Sequence, residues 1–431
     1  MNARAKQGFF GWWVALAAFI TFGLSTGLPY YNLGFFYNYY TKPVAEGGFG
    51  WSRSDAVLGF PLAALFTLWV GPLLIHRLTP KVLILAGTAL TFLAFSGFAN
   101  MPGSLWVYYG LFFVYTVGYI LSGPIPHQVL ISQWFRKLRG TAMGLVYVGV
   151  GVFGSLGSIM VRDVTAAYGY KTALLVLGFT ILLAWPVTFL LVRNKPSEVG
   201  QFADGADAPP ADAKIEPRSF GWLLKQPAFW LLTIGSFCSI GSIGAVNANM
   251  KFVFEDSGFR NRELDSIWTV ASVAILWSSI LGRVFVGWIA DRASKKLVMS
   301  ATYFLVAVTI PIMLAVTPKQ PEFVYVFAVL FGFGMGADYM LIPLMAAEQF
   351  GVNTLARAMA IILPTDTIGQ TWFPYAIAKL RESIGSYPMA LNVVFVVAFI
   401  GAVAVTLLPR KRPDEARLGD AKAEGIAASK R

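Results

Sequence analysis

Long apolar runs dominate the chain, and they restrict its fold more than any other feature. A run of about 20 apolar residues is long enough to cross a bilayer as a helix. The composition, 56% hydrophobic against 13% charged residues, differs from that of a soluble domain. We therefore predict an all-α membrane protein with twelve transmembrane helices, spans 1 to 12, at roughly 9–40, 55–75, 81–100, 104–132, 139–162, 171–192, 228–254, 264–290, 297–317, 322–348, 356–379 and 386–409.

The net charge of +12 indicates either a polyanionic partner or an orientation in the membrane. Sorted by loop, 23 of the 34 Lys and Arg residues lie on the side of the two termini and 10 on the opposite side. Cytoplasmic loops carry such an excess of basic residues. We therefore predict a multi-pass protein of the cell (inner) membrane with both termini cytoplasmic, the lipid bilayer as its surroundings, and no nucleic-acid partner.

The chain has two similar halves. The loop after span 2, Gly71–Lys81, resembles the loop after span 8, Gly287–Lys296, so that His76 corresponds to Asp291. In transporters with such repeats, the binding site lies at the midplane between the halves. We predict, in chain order, an N-terminal six-helix bundle, a cytoplasmic linker, a C-terminal six-helix bundle and a basic cytoplasmic tail at 1–192, 193–227, 228–409 and 410–431.

Arg283 is the only charged residue between Asp265 and Asp291, inside span 8. It lies eight residues before Asp291, or about 12 Å along a helix, which is close to the middle of a bilayer. A guanidinium stays charged, so at this depth it must face a protein interior, a partner or a wet cavity. We predict an anion site; the alternative is an internal ion pair with Asp338 or Asp366.

Two sequence motifs resemble those of a known family. The run Gly287–Lys296 looks like the signature loop of the major facilitator superfamily, and the runs Gly8–Trp12 and Gln133–Gly144 are similar to the two signatures of monocarboxylate transporters. The chain thus resembles bacterial-type monocarboxylate transporters and also oxalate/formate antiporters. Another run with the letters of the first signature, Glu46–Trp51, lies in the loop after span 1, where we interpret it as a turn before a helix cap at Ser52.

The resemblance implies roles for individual residues. Arg283 occupies the position of the arginine that binds the substrate carboxylate in these transporters. Spans 1, 4, 7 and 10 line the path in this fold, so an apolar and phenolic wall is expected opposite Arg283. The complete set of predicted substrate-binding residues is Arg283, Tyr119, Leu28, Leu145, Tyr30, Tyr31, Asn32, Ser279 and Tyr339.

Proton coupling and gating have their own candidates. Asp338 and Asp366 lie about 13 to 15 Å from the cytoplasmic ends of their helices, and His127 is the third proton-coupling candidate. For the two acids the alternative is a hydrogen-bonded helix contact; for His127 it is packing. For the cytoplasmic gate we predict that Asp291 caps span 11 and pairs with Arg357, with Arg292 beside it.

These features favour a secondary transporter that moves a small organic acid anion of the lactate or pyruvate type together with a proton. A carboxylate/carboxylate antiporter of the oxalate-formate type is the alternative, and sugar or drug transport remains open. Motifs of a membrane enzyme, such as a nucleophile elbow or a phosphate-binding loop, are absent from the sequence. We predict neither enzymatic activity nor a cofactor or metal site.

Overall fold

A computed structural model describes residues 8–208 and 216–409. The predicted basic tail at 410–431 and part of the predicted linker, 209–215, lie outside the described residues. The described residues contain twelve helical segments of 14 residues or more, α1 to α12: Gly11–Tyr40, Arg53–Phe66, Pro80–Asn100, Leu105–Trp134, Arg139–Tyr168, Tyr170–Leu191, Pro227–Asp256, Asn261–Ala290, Lys295–Leu314, Phe323–Phe350, Leu355–Ile384 and Tyr387–Thr406. A short helix, Phe220–Leu224, lies between α6 and α7.

Ten of these helices, all except α2 and α11, are long and apolar enough to cross a membrane. The protein is therefore a multi-pass membrane protein. Helix α2 has only 14 residues and is followed by a π-helical turn at Gly71–Ile75. Helix α11 is long, but a polar segment that includes Asp366 lies at its centre. Both helices pack beside helices that satisfy the length and hydropathy of a span.

The loop between α1 and α2 forms the predicted turn and cap. Gly47 and Gly50 have φ angles of +80° and +67°, which glycine adopts without steric cost. Ser52 then caps α2, because its hydroxyl oxygen accepts a hydrogen bond of 3.1 Å from the backbone N–H of Asp55. The run Glu46–Trp51, which resembles the first signature, therefore forms a turn.

Helix pairing in the first half recurs in the second half. Helix α1 packs on α5, α2 on α4, and α3 on both α4 and α6. In the second half α7 packs on α11, α8 on α10, and α9 on both α10 and α12, which is the same set shifted by six helices. The contacts between helices in the second half therefore repeat those in the first half.

The two halves contact each other along two equivalent pairs of helices, α5 with α8 and α11 with α2. The first pair is close because glycines lie between the backbones: a methyl group added at Gly144 would be 2.3 Å from the carbonyl oxygen of Arg283. The contact continues to Gly140 and Gly287, near the face that also carries the described chain ends, Gly8 and Pro409. We call this side of the molecule the terminal face.

The described parts of the linker lie on the terminal face. Asp204 accepts hydrogen bonds of 3.0 Å from the backbone N–H groups of both Arg136 and Lys137, in the loop between α4 and α5. After the gap, the backbone N–H of Arg218 donates to the hydroxyl of Thr354 before α11. The linker therefore contacts both halves.

Candidate functional site

A cavity of about 70 Å³ lies between the two halves. This volume is several times the ~10–15 Å³ that one ordered water requires, so the cavity can hold a small ligand. Residues of α1, α4 and α5 form one wall, and residues of α8, α10 and α11 form the other; together they are Phe22, Thr26, Tyr30, Tyr31, Tyr119, Pro124, Tyr147, Val150, Arg283, Tyr339 and Gln370. Tyr31 is 52% exposed, so the cavity is open on its side.

Arg283 brings a buried positive charge to this cavity. Its side chain is 8% exposed, and its Nη1 atom is shielded from solvent without a hydrogen-bond partner. Within the described part of the chain, Arg283 is not paired with any carboxylate. The alternative of an internal ion pair with Asp338 or Asp366 is therefore not the arrangement seen here. An anion that entered the cavity would meet an available guanidinium.

Tyrosines form most of the remaining cavity wall. The rings of Tyr30 and Tyr119 lie 6.1 Å apart. The hydroxyl of Tyr339 donates a 2.7 Å hydrogen bond to Gln370, which joins α10 to α11. The hydroxyl of Tyr147 accepts a 2.6 Å hydrogen bond from the amide of Gln128. The wall thus presents aromatic faces and phenolic oxygens to whatever Arg283 holds.

Five of the nine predicted substrate-binding residues line the cavity, namely Arg283, Tyr119, Tyr30, Tyr31 and Tyr339. Leu28 and Asn32 instead join α1 to α5. Leu28 is buried against that helix, and Asn32 donates to the carbonyl of Gly154 and accepts from Ser158. Both residues therefore stabilise the packing of α1 against α5, outside the cavity lining.

The other two predicted residues also lie outside the cavity lining. The hydroxyl of Ser279 donates to the carbonyl of Leu276, one turn back in α8, and its backbone contacts Gly336 of α10. Leu145 is 41% exposed and lies on a different face of α5 from Tyr147. Both residues therefore lie on helices that border the cavity, on faces outside its lining.

Several lining residues were missed by the sequence analysis. On α1, Phe22 and Thr26 lie eight and four residues before Tyr30, which is the spacing of one helix face. On α5, Tyr147 and Val150 are three residues apart and share a face in the same way. Helical periodicity counted back from Tyr30 was the available signal for the residues of α1.

Asp338 and Asp366 are completely buried inside the C-terminal half. Asp338 accepts a hydrogen bond from Ser239, and Asp366 accepts one of 2.7 Å from Ser236, both from α7. The second oxygen of Asp366 is shielded and has no hydrogen-bond partner among the described residues, whereas the carboxyl of Asp338 also faces the hydroxyl of Tyr303 in α9. Neither acid lines the cavity of Arg283. Both acids thus make a hydrogen-bonded contact between helices, with serines of α7 as donors.

His127 is buried beside the cavity and does not line it. Its Nε2 atom lies 2.9 Å from the hydroxyl of Thr21, and its Nδ1 atom lies 2.7 Å from the carbonyl of Gly123. Its ring stacks on Phe22 at 4.8 Å. Both ring nitrogens therefore have partners, and the imidazole joins α1 to α4.

Asp291 connects the two halves at the terminal face. It accepts hydrogen bonds from the backbone N–H of Gly140 at 2.6 Å and from the N–H and hydroxyl of Thr141 at 2.8 and 2.7 Å. These donors form the first turn of α5, so the carboxylate caps that helix and meets the positive end of its dipole. The sequence predicted a cap on span 11; the structure places it on span 5, because α8 packs against α5.

Arg357 and Arg292 have other partners than predicted. Arg357 donates to the backbone carbonyls of Pro217 and Arg218 in the linker, at 2.8 and 2.6 Å, and not to Asp291. Arg292 donates to the carbonyl of Trp288 and lies 4.2 Å above its ring. Asp291 of the second half caps α5, so the repeat would place an acid of the first half at the start of α11. The linker lies at that position instead.

In the first half His76 stands at the position that corresponds to Asp291. Burial, followed by the nearby charges of Arg357 and Arg77, lowers the pKa of His76 below its ordinary value. Its ring contacts Phe220 edge-on at 5.3 Å. An imidazole carries no negative charge in either protonation state, so the contact at His76 lacks the carboxylate cap that Asp291 provides.

Comparison with known proteins identifies similar chains. A family model described as Major Facilitator Superfamily matches residues 122–278 and 232–430. The MFS transporter asaE of Aspergillus flavus is 24% identical over 404 residues, which cover 90% of this chain and 84% of that protein. The fujikurins efflux protein of Gibberella fujikuroi is 24% identical, covering 95% of this chain and 84% of its own length. Monocarboxylate transporter 10 of Homo sapiens is also 24% identical, covering 73% of this chain and 61% of its own length.

Proposed function

Since this chain belongs to the Major Facilitator Superfamily, we propose that it carries a small monocarboxylate of the lactate or pyruvate type across the membrane by alternating access. The chain is a transporter and not an enzyme, in keeping with the names of its relatives. We further propose the cell (inner) membrane as its location, with the terminal face in the cytoplasm, because the predicted loops and termini of that side carry 23 of the 34 basic residues in the sequence.

The buried and unpartnered guanidinium of Arg283 is the observation that carries this proposal. Arginine remains charged inside a protein, and its planar fork binds a carboxylate through two parallel hydrogen bonds. Arg283 is the one basic side chain in the lining of this cavity. The site therefore suits a single carboxylate better than a dicarboxylate, and the surrounding tyrosine rings suit a short hydrocarbon body.

Alternating access follows from the position of the cavity between the halves. The structure has α5 and α8 in close contact at the terminal face, while Tyr31 marks an open side of the cavity. Separation of Asp291 from the start of α5 would open the terminal side, and closure of the halves around Tyr31 would seal the other. The same bound anion would then face each side of the membrane in turn.

A proton accompanies the anion in this proposal, and Asp338 and Asp366 are its proposed carriers. Among the described residues, neither buried carboxyl has a basic partner within ion-pair distance, and an uncompensated buried charge is costly. Tyr339 follows Asp338 in α10, and Gln370 lies one turn after Asp366 in α11. These two neighbours line the cavity and are hydrogen-bonded to each other. Substrate that disturbs this bond would shift α10 and α11 and, with them, the environment of both acids.

An electroneutral carboxylate/carboxylate antiporter of the oxalate-formate type is the second candidate. The position of Asp338 and Asp366 outside the cavity lining favours it, because an antiporter needs Arg283 and neither acid. Asn substitution of each acid separates the two functions. If the protein is a symporter, the Asn variants should lose lactate accumulation driven by a pH gradient and keep counterflow of labelled lactate. Unchanged accumulation in both variants would support the antiporter instead.

Replacement of Arg283 in proteoliposomes tests the proposed function itself. Arg283→Lys and Arg283→Gln should both lose counterflow of labelled lactate, because neither side chain offers the bidentate fork. Arg162→Gln is a matched control, since Arg162 is an exposed arginine paired with Asp163 on α5. Full lactate counterflow in both Arg283 variants, with normal yield of folded protein, would refute the proposal.

A further inference from the structure

Helix α1 changes its geometry where it borders the cavity. Residues Gly23–Gly27 form a π-helical turn, a feature that is rare and is concentrated at functional sites. The turn is fixed in place because the hydroxyl of Ser25 donates a 2.7 Å hydrogen bond to the carbonyl of Ser122. That carbonyl lies where α4 is interrupted, just before Gly123 and Pro124. The two irregular segments therefore support each other beside the cavity.

The π-helical turn directs Thr26 to the cavity. Thr26 is 4% exposed, lines the cavity, and its hydroxyl oxygen is shielded without a hydrogen-bond partner. Buried threonines in helices commonly donate to the carbonyl four residues back, as Thr21 does to Ala17 at 2.8 Å. Thr26 does not make this bond, so its hydroxyl can both donate and accept.

Only two lining atoms in the described chain are both shielded from solvent and unpartnered, the Oγ1 of Thr26 and the Nη1 of Arg283. The hydroxyls of Tyr147 and Tyr339 already have hydrogen-bond partners. Buried polar atoms in proteins are nearly always hydrogen-bonded. A ligand that satisfies both atoms needs an anionic group for Arg283 and a second oxygen for Thr26.

We propose that Thr26 selects acids that carry an oxygen on the carbon next to the carboxylate, that is, 2-hydroxy and 2-oxo acids over plain alkanoates. This inference rests on the proposed function, because Arg283 holds the carboxylate. The Thr26 hydroxyl accepts from a 2-hydroxyl or donates to a 2-oxo group. An acid without that oxygen leaves the hydroxyl buried and unpaired, which is the basis of strong discrimination by hydrogen-bonding sites.

Lactate and propionate test this inference because they share a three-carbon skeleton and differ in the 2-hydroxyl. Wild-type protein in proteoliposomes should prefer lactate by about tenfold in kcat/KM, the size expected for one buried hydrogen bond. Thr26→Val, which has nearly the same shape, should bring the ratio close to one mainly by slowing lactate. Thr26→Ser keeps the hydroxyl and should restore the preference.

Two controls separate recognition from loss of structure. Thr116→Val makes the same change at a buried threonine of α4 whose hydroxyl donates to Phe112 and which lies outside the cavity lining, so the lactate preference should remain. If Thr26→Val yields little folded protein, Thr26→Ala is measured in its place. Inhibition of lactate counterflow in the wild-type protein, by propionate and by glycolate, gives a second readout. Glycolate should inhibit at a lower concentration than propionate.

The outcomes distinguish this inference from the proposed function. If wild-type protein transports lactate and propionate equally, or if the valine and alanine variants keep the wild-type preference, Thr26 does not select the substrate and the carboxylate proposal still stands. If wild-type protein transports neither acid, the carboxylate proposal fails as well. A preference that is lost in Thr26→Val and regained in Thr26→Ser supports the inference.

Discussion

The contact of Asp291 with the start of α5 should hold the terminal face closed, and Asp291→Asn tests this directly. The carboxylate accepts three hydrogen bonds, two from backbone N–H groups and one from the hydroxyl of Thr141. Asparagine keeps one acceptor oxygen, but it loses the charge and turns an NH₂ group towards donors. Loss of a helix cap costs about 0.5–2 kcal/mol, and charged acceptors are at the stronger end of that range.

A change of about 1–2 kcal/mol corresponds to roughly a 5- to 30-fold change in the ratio of open to closed molecules. Met340 is a suitable reporter, since it is completely buried and its side chain lies next to Gly144 and Gly287, under the contact between α5 and α8. A cysteine at this position, in a Cys238→Ala background, should react with a thiol reagent only when the terminal face opens.

The Asp291→Asn variant should therefore label at Met340→Cys about 5 to 30 times faster than its parent. Asp163→Asn makes the same chemical change at an exposed acid of α5 and should leave the rate unaltered. Tyr31 lies on the open side of the cavity. A cysteine at this position should label more slowly in the Asp291→Asn variant, because fewer molecules then have the terminal face closed. Equal labelling at Met340→Cys in the Asp291→Asn variant and its parent would refute a closing role for the cap.

Other substitutions test the contact at His76 and the packing of the second half. His76→Asp places a carboxylate near Arg357, so it should strengthen the equivalent contact and slow labelling of the same reporter; faster labelling would contradict this. Gly336→Ala puts a methyl group 2.0 Å from the carbonyl oxygen of Ser279, so overpacking by about 1–3 kcal/mol should lower the melting temperature in detergent. Gly110→Ala meets no atom within 4 Å and should leave the melting temperature unchanged, which gives the comparison its control.

Features that depend on local sequence were predictable. The apolar runs correspond to the helices within several residues, and the caps and turns followed from short-range chemistry, as at Ser52. Arg283 lies on one continuous helix and Asp291 at its end, as their spacing of eight residues predicted. These predictions succeeded because helix length, capping and rise are properties of a continuous segment and require no knowledge of its neighbours.

Predictions that required the rotation of a helix were less accurate. For Asp338 and Asp366 the sequence left proton coupling and a hydrogen-bonded helix contact open, and the structure places both acids against serines of α7. Leu145 was chosen where Tyr147, two residues on, lines the cavity. A membrane helix is apolar on nearly all sides, so its sequence lacks the polar face that shows, in a soluble protein, which side is turned inward.

Consecutive residues were enough to predict a chain of apolar helices with two similar halves, an arginine in the eighth span and an acid at its end. The packing of the helices set which helix that acid caps, that Thr26 and Arg283 line one cavity, and that the two buried acids lie outside its lining. The physical reason is that span length and charge are read from consecutive residues, whereas helix rotation and pairing arise from close packing between segments far apart in the chain.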